Sequence, residues 1–326
     1  MAFSAVFCPS CTPKTQSSLL SSTNSPSLCS TTSFLSLPQA ARKLLFQPLR
    51  HKRVSPIEVN TKRSFGKVKA SKQSFENVEV FSKEHLAVTL AHDVSELSKK
   101  FAEERGAFTV VLSGGSSVKY LRKLAEDPYV GSVDWSKWHV FLADERAVPK
   151  NHLESNYKLV HDRFLSRVRI PDSNIHAADD TQPADKAAEA YAETVRSLVE
   201  SRVIASSSTG LPKFDLMLLD MGPDGHVASL FSGHPLLQEN QKWVSFLRDS
   251  PIPPAERITF TLPVINASSR IAIVVSGAGK ANTVESVLED DQKGYKLPVE
   301  LVSPVDGQLK WYLDKGAASK LFNLRV

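Results

Sequence analysis

Four times along this chain a short apolar run stops abruptly in a small polar cluster. Phe108–Leu112 runs into Ser113-Gly114-Gly115-Ser116-Ser117. Trp138–Leu142 runs into Asp144-Glu145-Arg146, and Phe214–Leu219 into Asp220-Met221-Gly222-Pro223-Asp224-Gly225-His226. Ile271–Val275 runs into Ser276-Gly277-Ala278-Gly279-Lys280. The runs do not alternate apolar with polar residues, so each predicts a strand buried on both faces. Between them lie segments of helical period. Glu84–Arg105 carries Leu86, Leu90, Val94, Leu97 and Phe101 at spacings of three and four, with Gly106 as a stop. Val118–Ala125, Asn156–Arg167, Asp185–Val203 and a segment ending near Leu288 also read as helices, and Ile258–Leu262 and Leu309–Leu313 as further strands. Strands alternating with helices predict an α/β, Rossmann-like fold: a largely parallel sheet flanked by helices, in a single domain over residues 75–326. In such sheets a ligand sits beyond the carboxyl ends of the strands. All four polar clusters fall there, which points to one composite site.

The chain before residue 75 has another character. No Asp or Glu precedes Glu58, while the first 57 residues hold 12 Ser and 5 Thr, with Arg42, Lys43, Arg50, Lys52 and Arg53 late in the stretch. A Ser-rich, acid-poor segment with scattered Arg predicts a transit peptide, here residues 1–70 and disordered, and the lack of early Arg favours the chloroplast stroma over the mitochondrion. The chain's formal net charge of +5 belongs to this segment. Beyond residue 70, 30 Lys and Arg face 34 Asp and Glu, so the folded part is slightly acidic and no nucleic-acid partner is expected. The import machinery is the expected partner of the leader. Cys8, Cys11 and Cys29 are the only cysteines, which leaves the folded part without a thiolate metal site or a cysteine nucleophile. No apolar run is long enough to span a membrane. Ser319-Lys320-Leu321 spells a peroxisomal address, but that address is read at a free C-terminus and five residues follow it.

Each cluster has its own chemistry. In Ser113–Ser117, Gly114 and Gly115 let backbone N–H groups approach an anion, so this turn with Ser113 and Ser116 is a candidate phosphate cradle; a plain strand–helix turn is the alternative. It is not a dinucleotide fingerprint, because G-x-G-x-x-G is absent. Ser276–Lys280 is not a nucleotide-binding loop either, since one residue separates Gly277 from Gly279 and Ala281 follows Lys280. Lys280 is either a point-charge phosphate contact or a solvated surface lysine. Arg146 suits a phosphate through paired hydrogen bonds; a surface ion-pair cluster of Asp144, Glu145 and Arg146 is the alternative. His226, after a stiff Gly-Pro-Asp-Gly turn, can take a proton from water near neutral pH. No H-E-x-x-H or other ligand spacing accompanies it, so no metal is expected.

Together these segments resemble the 6-phosphogluconolactonase family. The resemblance is carried by Val111–Ser116, by Phe141–Pro149, by Leu218–Phe231 with its Gly-Pro-Asp-Gly-His-Val-Ala-Ser-Leu-Phe string, and by Val274–Lys280, in the family's order. It implies hydrolysis of 6-phospho-D-glucono-1,5-lactone to 6-phospho-D-gluconate in the oxidative pentose phosphate pathway, without metal or organic cofactor, and with His226 as general base for water. Asp144 and Asp224 would orient His226 or Arg146; the sequence does not choose between them. Backbone N–H groups near Gly225 or Gly114 would face the oxyanion. The rival reading is an enzyme of the related glucosamine-6-phosphate isomerase/deaminase type. Those carry an acid soon after Asp-Gly-His, whereas here the next acid after His226 is Glu239. A non-catalytic sugar-phosphate sensor would keep the phosphate grip and lose the base.

Overall fold

The computed structural model describes residues 77–290 and 294–322. The expected transit peptide, its three cysteines and the last four residues lie outside this range. All described residues fall in one compact unit, Val68–Val326.

Twelve strands are present among the described residues: β1 (Val78–Phe81), β2 (Phe108–Leu112), β3 (Trp138–Leu142), β4 (Asp144–Arg146), β5 (Ile175–His176), β6 (Ala205–Ser206), β7 (Pro212–Lys213), β8 (Leu216–Asp220), β9 (Val244–Leu247), β10 (Arg257–Phe260), β11 (Arg270–Val275) and β12 (Gln308–Asp314). The α-helices are α1 (Lys83–Arg105), α2 (Val118–Leu121), α3 (Tyr129–Ser132), α4 (Asn156–Arg163), α5 (Ala184–Glu200), α6 (Leu262–Asn266) and α7 (Ala281–Leu288). Seven strands form one sheet in the order β1-β12-β11-β8-β2-β3-β5, and every pairing in it is parallel. From β2 the chain builds outward through β3 and β5. From β8 it builds the opposite way through β11 and β12. The order therefore reverses between β2 and β8, and the loops leaving those two strands diverge to open a crevice.

Side-chain alternation across this sheet divides the interior in two. Val111, Phe141, Met217, Leu219, Ile273 and Leu313 pack with α5, α7 and a second, three-stranded sheet of order β4-β10-β9. Val110, Leu112, Trp138, Val140, Leu218 and Val274 pack with α1, α2 and α4. Helix α1 begins at Ser82, whose hydroxyl accepts the His85 N–H, and ends at Gly106, whose φ of 78° only a residue without Cβ adopts freely. Trp138 is fully buried, and its indole N–H donates to Ser98 Oγ at 2.7 Å, so the ring fills the core with its one polar atom satisfied.

Several expectations need correction. Ile258–Leu262 is not a strand of the parallel sheet. Arg257–Phe260 instead lies between β4 and β9 in a separate antiparallel sheet, and Leu262 starts α6. The Asn156–Arg167 helix stops at Arg163, because Phe164 leaves helical geometry to bury its ring against Trp135 and Trp138, and a short 3-10 turn follows. Val118–Ala125 likewise splits into α2 and a 3-10 turn. The Asp185–Val203 helix runs Ala184–Glu200 and is ended by Arg202 at φ 63°.

Candidate active site

The four polar clusters meet. A cleft of about 180 Å³ at the carboxyl ends of the strands is lined by Ser113, Gly114, Gly115, Asp144, Arg146, Asn156, Asp220, Met221, Gly222, Pro223, His226, Ala228, Arg257 and Lys280. Of the residues singled out in the sequence, Ser113, Gly114, Gly115, Asp144, Arg146, His226 and Lys280 are on its wall; Ser116 and Asp224 are not, but each binds a residue that is, and Gly225 and Glu145 lie off it.

His226 is held on three sides. Its Nδ1 lies 2.5 Å from Asp224 Oδ1. Its ring packs on Phe231, centroids 4.8 Å apart. Behind it sits Gly222, where any Cβ would collide with the imidazole and with Asp224. The turn that presents it is closed by Gly222 N–H to His226 O and Gly225 N–H to Gly222 O. It is braced from outside by Thr283, whose hydroxyl donates to Pro223 O, and by Val299 N–H on Gly225 O. Gly225, at φ 81°, lies against Leu297 with no room for a Cβ. Burial works to raise the Asp224 carboxyl, but the hydrogen bond and charge of His226, with nearby backbone N–H groups, hold it below the ordinary carboxylate range. An ionised Asp224 on Nδ1 keeps the proton there and leaves Nε2 as the basic nitrogen.

Contact separates Asp144 from Asp224, because only Asp224 touches His226. Asp144 is buried and takes the Ser229 hydroxyl on Oδ2 at 2.8 Å. The third acid of the region, Glu145, is scaffold. Its carboxylate accepts the N–H groups of Arg146, Asn156 and Tyr157 and the Ser155 hydroxyl, so it ties the start of α4 to β4. Burial pushes its pKa up against those donors. Asp144, Glu145 and Arg146 therefore form no ion-pair cluster among themselves: Glu145 binds backbone N–H groups and the Ser155 hydroxyl, and the guanidinium of Arg146 turns to Glu154 instead.

Two arginines face the cleft as cross-strand partners, Arg146 on β4 opposite Arg257 on β10. Arg146 donates from Nη1 to Glu154 O at 2.6 Å and stands 3.8 Å from the Glu154 carboxylate, while its buried Nε has no partner. Arg257 is 1% exposed. Its guanidinium donates to the carbonyls of Ile252, Pro253 and Pro254 and to Ser229 Oγ at 3.4 Å, and no carboxylate among the described residues pairs with it. Burial, and then the charge of Arg146, hold its pKa below the usual arginine value, yet a guanidinium stays cationic at any working pH. Two neighbouring cations, one fully buried and neither held in a close carboxylate pair, are a site for an anion. Ser113 adds a buried hydroxyl that has no partner.

Sequence reasoning missed Arg257, since nothing local connects it with Arg146 111 positions earlier. It also missed Asp220. That carboxylate accepts Ser116 N–H at 2.6 Å, Ser116 Oγ at 3.1 Å and Lys280 Nζ at 2.7 Å. Gly115, at φ 90°, has no Cβ that would strike it. The Gly225 N–H, one candidate oxyanion donor, is spent inside its own turn. Ala228, on the cleft wall, holds φ 50°, a conformation that costs a non-glycine residue about 1 kcal/mol or more and is retained where surrounding structure fixes it. No cluster of metal-ligating side chains occurs among the described residues.

The chain is similar to known proteins in sequence and in fold. The sequence profile of the family described as glucosamine-6-phosphate isomerases/6-phosphogluconolactonase matches residues 82–311. A rice protein (Oryza sativa subsp. indica) named probable 6-phosphogluconolactonase 4, chloroplastic, is 58% identical over 244 residues, which cover 74% of this chain and 75% of that one. The Arabidopsis thaliana protein named 6-phosphogluconolactonase 3, chloroplastic, is 52% identical over 261 residues, 79% of each chain. Among solved structures, a 6-phosphogluconolactonase from Thermotoga maritima superposes with a TM-score of 0.61 at 30% identity, covering 73% of this chain and 99% of that one. A monomeric glucosamine-6-phosphate deaminase shares the fold at 20% identity and a TM-score of 0.60, so the fold alone does not separate the two chemistries. With the match spanning most of its length, this chain belongs to the glucosamine-6-phosphate isomerase/6-phosphogluconolactonase family.

Proposed function

We propose that this chain hydrolyses 6-phospho-D-glucono-1,5-lactone to 6-phospho-D-gluconate in the oxidative pentose phosphate pathway, with His226 as general base. The observation that carries the reading is His226, held by Asp224, on the wall of the same small cleft as the arginines Arg146 and Arg257. The phosphate sits on those two guanidinium groups, with Ser113 as a further donor. That leaves the ring ester to reach His226. Its Nε2 takes a proton from water as the oxygen attacks the C1 carbonyl, the ring C1–O bond then breaks, and the imidazolium returns the proton to the departing ring oxygen. A lactone is an activated ester, so no covalent nucleophile is needed. A positioned base supplies roughly 10²–10⁴-fold. Oxyanion donors add about 10²–10³-fold each where present, and the Gly114 amide at the cleft wall is the candidate. The sequence similarity to proteins named 6-phosphogluconolactonase supports the substrate.

The same relatives carry the word chloroplastic in their names. Together with the acid-free, Ser-rich first 57 residues, this supports the plastid stroma as the compartment and the import machinery as a transient partner. The substrate reading is tested by giving the purified chain the lactone and, separately, glucosamine 6-phosphate. Acid release from the first well above the spontaneous rate, and no ammonia from the second, is the expected result. Ammonia release without lactone turnover would replace the lactonase reading with the deaminase one.

A further inference from the structure

Two of the loops that form the cleft are joined behind it by a buried acid that does not line it. Asp314, at the end of β12, is 1% exposed and lies off the cleft wall. Its Oδ1 accepts the Gly277 N–H at 2.9 Å and the Ala317 N–H at 2.7 Å, and its Oδ2 accepts the Ser276 hydroxyl at 2.7 Å. Ser276 Oγ in turn accepts the Tyr120 hydroxyl at 2.7 Å and the Lys119 ammonium at 3.2 Å. Tyr120 belongs to α2, which follows directly on the Ser113–Ser117 turn. The hydrogen-bond chain Asp314–Ser276–Tyr120 therefore ties the helix after that turn to the loop that carries Lys280. The loop needs the tie. Gly277 holds φ 100° and ψ 143°, a conformation that glycine adopts freely and other residues do not, and α7 begins only at Ala281. A Cβ on Gly316 would stand 3.1 Å from the Ala278 amide nitrogen, so the turn after β12 also lies against the loop. Burial works to raise the Asp314 carboxyl, but the Gly277 N–H, the Ser276 hydroxyl and the Ala317 N–H hold it below the ordinary range, so these donors meet a full anion.

What the loop delivers is Lys280. Its ammonium, on the cleft wall, meets Asp220 Oδ1 at 2.7 Å and Ser116 Oγ at 3.4 Å. Those contacts take two of its three N–H donors. We propose that Asp314 is a positioning residue for the lactone reaction. By holding Ser276 and Gly277 it sets where Lys280 stands against the Ser113–Ser117 turn, so that the remaining donor of the lysine meets the anionic sugar. This rests on the reading above, in which the lactone occupies this cleft. Asp314 acts through Lys280 and not on the base, because the His226 turn is fixed by Asp224, Phe231 and Val299, contacts that do not include Asp314.

The test is a double-mutant cycle on the full chain, with KM and kcat for the lactone read as acid release. Asp314→Asn keeps the size of the side chain and removes its charge. It is expected to raise KM about tenfold and to leave kcat within about threefold of wild type. Lys280→Ala should raise KM as well, and adding Asp314→Asn to it should change KM by no more than about twofold. Tyr120→Phe removes one hydroxyl at the other end of the chain and little volume. It is expected to raise KM about threefold, again only where Lys280 is present, and it decides alone where Asp314→Asn fails to fold. A rise of the same size with and without Lys280 would reduce Asp314 to a support of the fold and overturn the proposal. An unchanged KM in Lys280→Ala, or a fall in kcat with KM unchanged in Asp314→Asn, would overturn it too. A wild type that does not open the lactone would overturn the reading beneath it. Wild-type turnover with an unchanged KM in both Asp314→Asn and Tyr120→Phe would sink the proposal alone and leave that reading standing.

Discussion

If Asp224 acts only by fixing the His226 imidazole, Asp224→Asn should damage the chemical step and spare binding. The substitution replaces the carboxylate in a 2.5 Å hydrogen bond to Nδ1 with a neutral amide. A hydrogen bond to a charged group contributes about 1.5–3 kcal/mol, equivalent to roughly 10- to 150-fold in rate. The Asp224 side chain is 45% exposed, so solvent screens part of this, and the expected fall in kcat is about 10- to 50-fold. KM should stay within about threefold, since Asp224 touches neither Arg146 nor Arg257. The assay is acid release from freshly prepared lactone in a pH-stat, corrected for spontaneous hydrolysis. The double variant with His226→Ala provides the control. A residue that works through His226 adds nothing once His226 is gone, so the double variant should match His226→Ala alone. Wild-type kcat in Asp224→Asn, or a double variant much slower than His226→Ala, would refute the reasoning.

Other outcomes follow from the same geometry. Arg146→Met removes one of the two cations proposed to hold phosphate and should raise KM about 10- to 100-fold with a smaller effect on kcat, measured by the same pH-stat assay. Gly222→Ala places a Cβ against the His226 ring and Asp224; it should cut kcat at least tenfold while thermal stability moves by about 1–3 kcal/mol. Acid stability should report the stacked His139–His176 pair. Burial, then the charge of His139, lowers the His176 pKa to about 4. The unfolded chain, with imidazole near pKa ~6.5, therefore takes up that proton first as pH falls. Stability is full above pH ~6.5 and is lost between there and about 4, at no more than about 1.4 kcal/mol per pH unit for this group. His176→Gln should flatten that limb in pH-dependent denaturant melts, and an unchanged slope would count against it.

Much of the scaffold was legible in the sequence because its signals are local. Phe108–Leu112 and Trp138–Leu142 form strands with the expected bounds, since an unbroken apolar run closed by polar residues has few other outcomes. Ile258–Leu262 was legible as a strand, but not its bounds of Arg257–Phe260 nor its antiparallel pairing. Its partner Asp144–Arg146 is three residues long and more than a hundred positions away. The strands β1 and β5 escaped notice because edge strands of four and two residues carry little pattern. The site divides in the same way. His226, Asp224, Arg146 and the Ser113–Gly115 turn stand out by residue type and spacing. Arg257 looked like an ordinary charge before a strand, and only its register opposite Arg146 reveals it. Asp220 was visible as a residue, but nothing in the sequence says that its carboxylate turns back onto Ser116 and Lys280.

The central claim is that one imidazole deprotonates water beside a phosphate held elsewhere in the cleft. It is tested most directly by His226→Ala, with turnover and 6-phosphogluconate affinity measured on the same preparation. The account predicts a kcat lower by about 10²–10⁴-fold and a product Kd within about threefold of wild type. A variant that still opens the lactone at near the wild-type rate would contradict it.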